Sequence, residues 1–433
     1  MHLSRERKHE QGVIITLVAV FMLFVIGAMA ALSIDVVTLY TARSEAQLAA
    51  DSAALAAARV LANSGTTSDT SGASMLSAQT NAQTVAVQVA KQNQIGGQNL
   101  TAANIVSIVF GGPDTNPTVT VKVQRTDLPT FFARIWGTKF VTVGARATAE
   151  VYNPSGASAF GGATPPVAPL CVKPWLLPNL DPSSGTSIFG PNGAITTTTL
   201  LGWTSNSRAT RLSVACTGGD CSTLPAPAPW KYYPGDSTTS FAPPPSALPA
   251  CAATFTPYQE DIAGCFQTPI ACGSNPQSNY TVNIDMSTDA NRDLETVDAV
   301  NCLAHSNTNQ GDTVNPAAIA GGQISPPFEF VAGGSNPIPG LATNDEMVSD
   351  SLVTVPVFNS STTAPTSPVQ IIGFVQLFLN PEGFKAPPLS PPNNGTVKTT
   401  VINMAGCATG WTGTPIVGNG ASPVTVRLIS PSS

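Results

Sequence analysis

Charge is scarce in this chain: only 10% of its 433 residues are Asp, Glu, Lys or Arg, against roughly a quarter in an ordinary globular protein. The balance is slightly acidic, with a formal net charge of −6, so a basic stripe of the kind that holds nucleic acid is excluded. Histidine is nearly missing. There are 3, and two of them, His2 and His9, precede the only long apolar run, which leaves His305 as the sole imidazole for acid–base chemistry beyond it. Glycine, at 36 residues, falls far below the one in three that collagen needs. Long apolar runs are missing but for one, which excludes a multi-span membrane protein. No HExxH, GxSxG, GxxxxGK[ST] or CxxC occurs, and no cofactor is implied.

The one apolar run covers residues 13–34, VIITLVAVFMLFVIGAMAALSI, without a charge. As a helix it spans roughly 33 Å, enough for a hydrocarbon core of about 30 Å. Arg5, Arg7 and Lys8 precede it, so the positive-inside rule keeps residues 1–12, a basic tail, in the cytoplasm and sends everything after Asp35 outside. A cleaved signal peptide has a shorter apolar core. The small-residue stretch Ala28-Met29-Ala30 lies inside the run rather than after it, so an uncleaved anchor is expected. The expected place is the bacterial inner membrane, single-pass, with the bulk periplasmic or extracellular. All eight cysteines (Cys171, Cys216, Cys221, Cys251, Cys265, Cys272, Cys302, Cys407) follow the anchor. An even count in an exported segment makes each a disulfide candidate, in pairings the spacing does not decide.

Residues 35–64 are rich in Ala, Leu, Arg, Glu and Gln and contain no Gly or Pro until Gly65. They continue the anchor as a stalk helix, about 75 Å for anchor and stalk together. A heptad-like seam runs through Val37, Thr41, Ser44, Leu48, Asp51, Leu55, Ala58 and Ala62. Asp51 interrupts it, either as a solvated residue on an alanine surface or as a contact to a neighbouring subunit, to Arg43 or to Arg59.

This stretch resembles the N-terminal segment of the TadE/TadG-like proteins of the Tad (tight adherence) or Flp pilus-assembly system. The residues that carry the resemblance are Gly12 before the anchor, Asp35 after it, Tyr40, Arg43, Gln47 and the run Asp51-Ser52-Ala53-Ala54-Leu55-Ala56. It extends in weaker form through Thr126–Gly137 and Val141–Glu150. Pilins of this system are cut after a Gly and carry Glu at the fifth mature position. Here that position is Leu17, which places the chain nearer the TadG-like members that keep their anchor. The resemblance implies an accessory or structural role with the bilayer, pilins and other assembly subunits as partners, and self-association through anchor and stalk helix. A processed minor pilin is the alternative, and an anchored extracytoplasmic hydrolase a more remote one.

Residues 65–151 read as a small α+β module: an amphipathic helix over 73–93, strands at 105–110, around Val119–Val123 and over 140–151, and a short helix near Pro129 capped by Asp127. Residues 152–170 form a Pro/Gly/Ala linker. Only three of the 38 prolines precede residue 152. Residues 171–433 read as an irregular, mainly-β, disulfide-stapled exported domain. Its strands are expected at 195–201, 212–215, 280–284, 352–358, 369–379, 397–402 and 424–429. The strands at 352–358 and 369–375, with the closing strand, are expected to form the central sheet, and 225–249 a surface loop. The fold class is therefore α+β. Asp285, Asp289, Asn291 and Asp293 are weak metal candidates. Asp289, Asn291 and Asp293 keep the first spacings of a calcium loop, but Leu294 and Val300 stand where Gly and Glu are needed. Asp285-Met286-Ser287-Thr288-Asp289 comes near a von Willebrand A metal motif with Asp289 in place of its last Ser. A solvated acidic loop is the plainer reading, and no metal or catalytic residue is assigned.

Overall fold

The computed structural model describes residues 6–69, 71–156, 164–197, 199–209, 230–234, 255–265, 269–274, 292–314, 323–336, 349–360, 369–385, 395–407, 414–418 and 422–429. Its α-helices are α1 (Glu6–Asn63), α2 (Met75–Lys91), α3 (Pro257–Ala263) and α4 (Arg292–Leu303). Strands of four or more residues are β1 (Ile105–Gly111), β2 (Thr118–Pro129), β3 (Phe140–Tyr152), β4 (Trp175–Pro178), β5 (Thr204–Ala209), β6 (Trp230–Pro234), β7 (Leu352–Phe358), β8 (Gln370–Leu379), β9 (Val397–Gly406) and β10 (Thr425–Ile429). The fold is α+β: a long apolar helix leads into mixed helix and sheet, then into a mainly-β region.

Helix α1 runs for 58 residues, about 87 Å, because nothing after Gly12 breaks it until Asn63. Its first half is bare, with Leu17, Leu23, Phe24 and Met29 all exposed, a larger apolar surface than a soluble monomer tolerates. Its second half is buried along an alanine face: Ala42, Ala46, Ala49, Ala50, Ala53 and Ala57. That face packs on β3, β2 and α2. The expected seam is displaced. Val37, Thr41, Ser44 and Leu48 are exposed, and only Ala58 and Ala62 at its end are buried. A heptad seam fits a single partner helix, whereas α1 lies on a sheet and a helix together and needs a wider strip of small side chains. Helix α2 answers in kind with Ala78, Ala82, Ala86 and Ala90, all buried at four-residue spacing.

Strands β1, β2 and β3 pair antiparallel in chain order, with Val121 opposite Ala147. Val119, Val121 and Val123 face the helices. Two expectations fail here. The strand β2 continues to Pro129, and Asp127 does not cap a helix; it pairs with Arg125 Nε at 2.8 Å. The turn that follows is a single 3-10 turn, Ala133–Trp136. The closing strand also leaves the C-terminal region: β10 joins β3 antiparallel, Leu428 opposite Ala149, and completes the N-terminal sheet. Leaving it in the mainly-β sheet would expose the outer edge of β3.

In the C-terminal region, β8, β7, β4, β6, β5 and β9 follow one another, and β9 pairs again with β8, so six strands close into a ring. Closure removes open edges. Its interior holds Trp175, Trp230, Phe328, Phe330 and Phe378, with Phe330 stacked on Phe378 at 4.9 Å. The central antiparallel pair is β7 and β8, as expected, with β9 as its neighbour. Strands β4, β5 and β6 were not expected. Residues 230–234 fall inside the expected loop 225–249, yet all five are buried. Their Trp and Tyr side chains fill the ring, which outweighs the turn-forming prolines on either side. Residues 195–197 and 199–201 form bends, turns and a single bridge rather than a strand; 198, 212–215 and 280–284 lie outside the described residues. Disulfides join Cys171 to Cys265 and Cys272 to Cys407, and Cys302 is buried and disulfide-bonded.

Candidate functional site

Two polar junctions frame the second half of α1, one just past the bilayer-length run and one at the C-terminal end of the helix. The first is Asp35. Its carboxylate is 5% exposed and accepts three successive backbone N–H groups across the chain: Phe131 N at 2.9 Å on Oδ1, then Phe132 N at 3.0 Å and Ala133 N at 2.8 Å on Oδ2. The turn after β2 thus presents its unpaired amides to a side chain 96 or more residues away, as a helix N-terminus does to a capping carboxylate. Burial alone would raise the Asp35 carboxyl, but the three N–H donors outweigh it and hold it below the ordinary carboxylate value.

The second contact is at the far end. Gly65 has φ +82°, and a Cβ there would stand 2.5 Å from a ring carbon of Phe328 and 2.7 Å from the Ile402 carbonyl. Only glycine lets the chain turn under the barrel at this distance. Around it, Asn403 of β9 donates from Nδ2 to the Ala62 carbonyl at 2.7 Å and to Gln376 Oε1 at 2.6 Å. Ser68 Oγ accepts from the Met404 N–H at 2.9 Å. Asn153 Nδ2 donates to the Met404 carbonyl at 3.0 Å, and the Phe328 N–H donates to the Ser64 carbonyl at 2.9 Å. Of the last carbonyls of α1, which a helix leaves unpaired, that of Ala62 is taken up by the Asn403 side chain and that of Leu61 by the Ser64 hydroxyl. Helix α1 ends against the wall of the barrel.

The other motif residues also lie along α1. Tyr40 and Arg43 are exposed; Gly12 is exposed with open space around it. Gln47 donates from Nε2 to Asp51 Oδ1 at 2.7 Å and to the Arg146 carbonyl at 3.4 Å, so Asp51 finds its partner on its own helix rather than at Arg43 or Arg59. Ala54 is buried and Leu55 half-buried. Asp285, Asp289 and Asn291 lie outside the described residues, and Asp293 falls in the first turn of α4. Cys216, Cys221 and Cys251 also lie outside them. Among the described residues no group of three or more His, Cys, Asp and Glu side chains could hold a metal.

Ionisable groups of the C-terminal region are engaged in contacts within the fold. Lys173 is buried and donates to the Gly264 carbonyl. Burial pushes its ammonium down to about 8, against the pull of Asp261 and Asp350. His305 bonds Asp350 Oδ2 through Nε2 at 2.8 Å. Its sequence neighbour Cys302 is in a disulfide, so it offers no thiolate. Asp181 is buried and accepts hydroxyls from Ser183, Ser184, Thr197 and Thr199. Burial raises it, but those donors more than compensate and hold it low. A cavity of about 990 Å³ opens beside the Cys272–Cys407 disulfide between Asn179, Phe189 and Gln370, and no ionisable side chain lines it.

The clasp, the bare apolar half and the alanine face all fall within one stretch of chain that is also recognisable by comparison. Residues 12–60 match the putative Flp pilus-assembly TadE/G-like family. The TadE/G-like segment thus contains Asp35, Tyr40, Arg43, Gln47 and Asp51, and stops just short of the Asn63–Ser68 junction. Neither a curated protein nor a solved structure matches the chain at a significant level. The TadE/G-like match supports an accessory role in a Tad-type pilus system. The 131–133 amides that meet Asp35, and Asn403, Gln376 and Asn153 at the far end of α1, were not among the expected site residues. For Asn403 a signal existed: an amide in the middle of the apolar run Val401-Ile402-Asn403-Met404.

Proposed function

We propose that this chain is a single-pass, non-catalytic scaffold of a Tad/Flp-type pilus assembly or related secretion apparatus. Residues 13–34 cross the inner membrane, residues 1–12 stay cytoplasmic, and the barrel stands outside as an interaction surface for pilins or other assembly subunits. The observation that carries this reading is the continuity of α1: one helix is apolar and bare over a bilayer's length, then alanine-faced and buried, then fastened by Asn403 to the barrel wall. A force or a partner engaged at the barrel is delivered to the membrane segment without a flexible joint. The TadE/G-like match at residues 12–60 supplies the system.

The test is complementation in a piliated host that lacks this chain. The full chain should restore pili. An exported form in which a cleavable signal replaces residues 1–34 should be secreted, folded and inactive. Full activity of that soluble form would overturn the scaffold reading. The intact mass of the complementing protein separates the pilin alternative: retention of residues 1–12 supports an anchor, and their loss supports a processed subunit.

A further inference from the structure

The hairpin tip between β2 and β3 stands at an unusual height. Asp35, which clasps it, is the first residue after the bilayer-length run 13–34. With that run filling a hydrocarbon core of about 30 Å, the Asp35 carboxylate lies within a few ångströms of the core boundary. The tip is bonded directly to it through the 131–133 amides. Burial on the clasp face of α1 also continues one turn further towards the bilayer, to Ala31 at 8% exposed, while Met29 and Leu32 on other faces are bare.

At that height the tip displays residues that a water-facing turn has no reason to carry. Phe131 is 60% exposed and Phe140 is 59% exposed. Arg134 and Lys139 between them are exposed too. The Thr130 N–H donates to the Lys139 carbonyl at 3.2 Å, which closes the tip into a compact loop and holds the two ends together. Tyr40, little more than one turn above Asp35 on α1, is exposed as well. Aromatic rings with cationic side chains beside them are the composition of a membrane interface: rings sit among the headgroups, and Arg and Lys meet lipid phosphates.

We propose that the β2–β3 tip is a second membrane contact, a foot that rests in the headgroup layer of the outer leaflet beside α1. Its occupant is the lipid surface, through ring insertion by Phe131 and Phe140 and phosphate contact by Arg134 and Lys139. Asp35 locks the foot to the helix. Together they give the module two points of attachment, so α1 cannot swivel freely about its own axis and the barrel presents a fixed side to its neighbours. This rests on the anchor reading of residues 13–34.

The experiment places benzoylphenylalanine, one position at a time, at Phe24, Phe131, Phe140 and Leu76 of the full chain in vesicles of phosphatidylethanolamine and phosphatidylglycerol, and reads lipid adducts by intact mass after irradiation. Leu76 is exposed at the start of α2. Because α2 runs back along α1, with Asn93 bonded to Ser52, it stands roughly 50 Å above Asp35. Lipid adducts at 131 and 140 should match those at 24 and exceed those at 76 by on the order of tenfold. Adducts at 24 with none above the level of 76 at 131 and 140 would overturn the foot and leave the anchor standing. Absence of adducts at 24 as well would overturn both.

Discussion

The N-terminal module and the barrel solve the same packing problem with opposite materials. The module is built from alanine on two helices against valine on a sheet. It has no disulfide among its described residues, and residues 35–151 carry 8 of the 19 Lys and Arg in the chain. The barrel is built from Val, Leu and Ile around a cluster of Trp, Phe and Tyr, is short of charge, and is cross-linked by Cys171–Cys265 and Cys272–Cys407. The alanine layer brings backbones close and gains by contact count over a long, straight interface. The aromatic core gains by area per residue and suits short, irregular strands that could not fill a ring otherwise. The long helix is packed with the first material; the body with short strands and long connections is packed with the second.

If this contrast is real, the two regions should break in opposite ways. Truncation should hurt the barrel most. Phe378 is fully buried and stacked on Phe330, so Phe378→Ala should cost about 3–5 kcal/mol in urea unfolding of the barrel followed by tryptophan fluorescence. A cost below about 1 kcal/mol would mean that the aromatic cluster is not the core.

Between pH 8 and 10 the barrel should also answer to pH. Burial holds Lys173 at about 8, below its ordinary 10.5. Between pH 8 and 10 the unfolded chain then binds more protons than the folded one, so barrel stability should rise with pH over that window, by up to about 3 kcal/mol. Tyr152, pushed up to about 12 by burial and by Glu150 against the pull of Arg427, works in the other direction, but only above pH 10. The Lys173→Met variant should abolish the rise. A rise that survives this substitution belongs to another group.

Enlargement should hurt the module instead. Ala53 is wholly buried in the face of α1 that meets the sheet and α2. The variant Ala53→Leu improves nothing in helix propensity and forces three further carbon atoms into a filled space, for about 1–3 kcal/mol. Its readout is thermal melting of helical circular dichroism. An unchanged melt would show slack between α1 and the sheet and would remove the argument for a rigid rod.

What the sequence made legible follows the same division. Periodic, strongly patterned stretches read correctly: the 22-residue apolar run, the Ala-rich helix, Met75–Lys91, and the alternating valines at 119–123. Local pattern says how a segment behaves, not which distant segment it meets. The clasp of Asp35 on Phe131–Ala133 joins residues about a hundred positions apart, and its acceptors are answered by backbone amides, which every residue possesses. β10 returns over more than 270 positions to the edge of β3. Strands β4 and β6 are four or five residues long and bounded by proline, so they resemble turns until the ring that buries their aromatic side chains is known. The seam through Val37 and Leu48 was misplaced because alanine counts little on a hydrophobicity scale, although it forms the buried face here.

The smallest expected effect tests the joint between the two ends of this comparison and the membrane. Asp35→Asn keeps the shape and one acceptor oxygen but turns the other into a donor, so at most one of Oδ1 and Oδ2 can still receive an amide. Phe131 or the pair Phe132 and Ala133 must lose a partner. Since the tip makes few other tertiary contacts, the melting of the module should barely move, while hydrogen exchange at the 131–133 amides should quicken by on the order of tenfold. The intact protein should show the same loosening in acid. The Asp35 carboxyl is held below its ordinary value, so the clasp is fully present above about pH 4 and is lost as pH falls through the folded value. Asp35→Asn should already be loose at pH 6 and gain nothing further on acidification. If exchange at 131–133 is fast in both proteins at pH 6, the clasp is not formed, and the helix and the hairpin tip move independently.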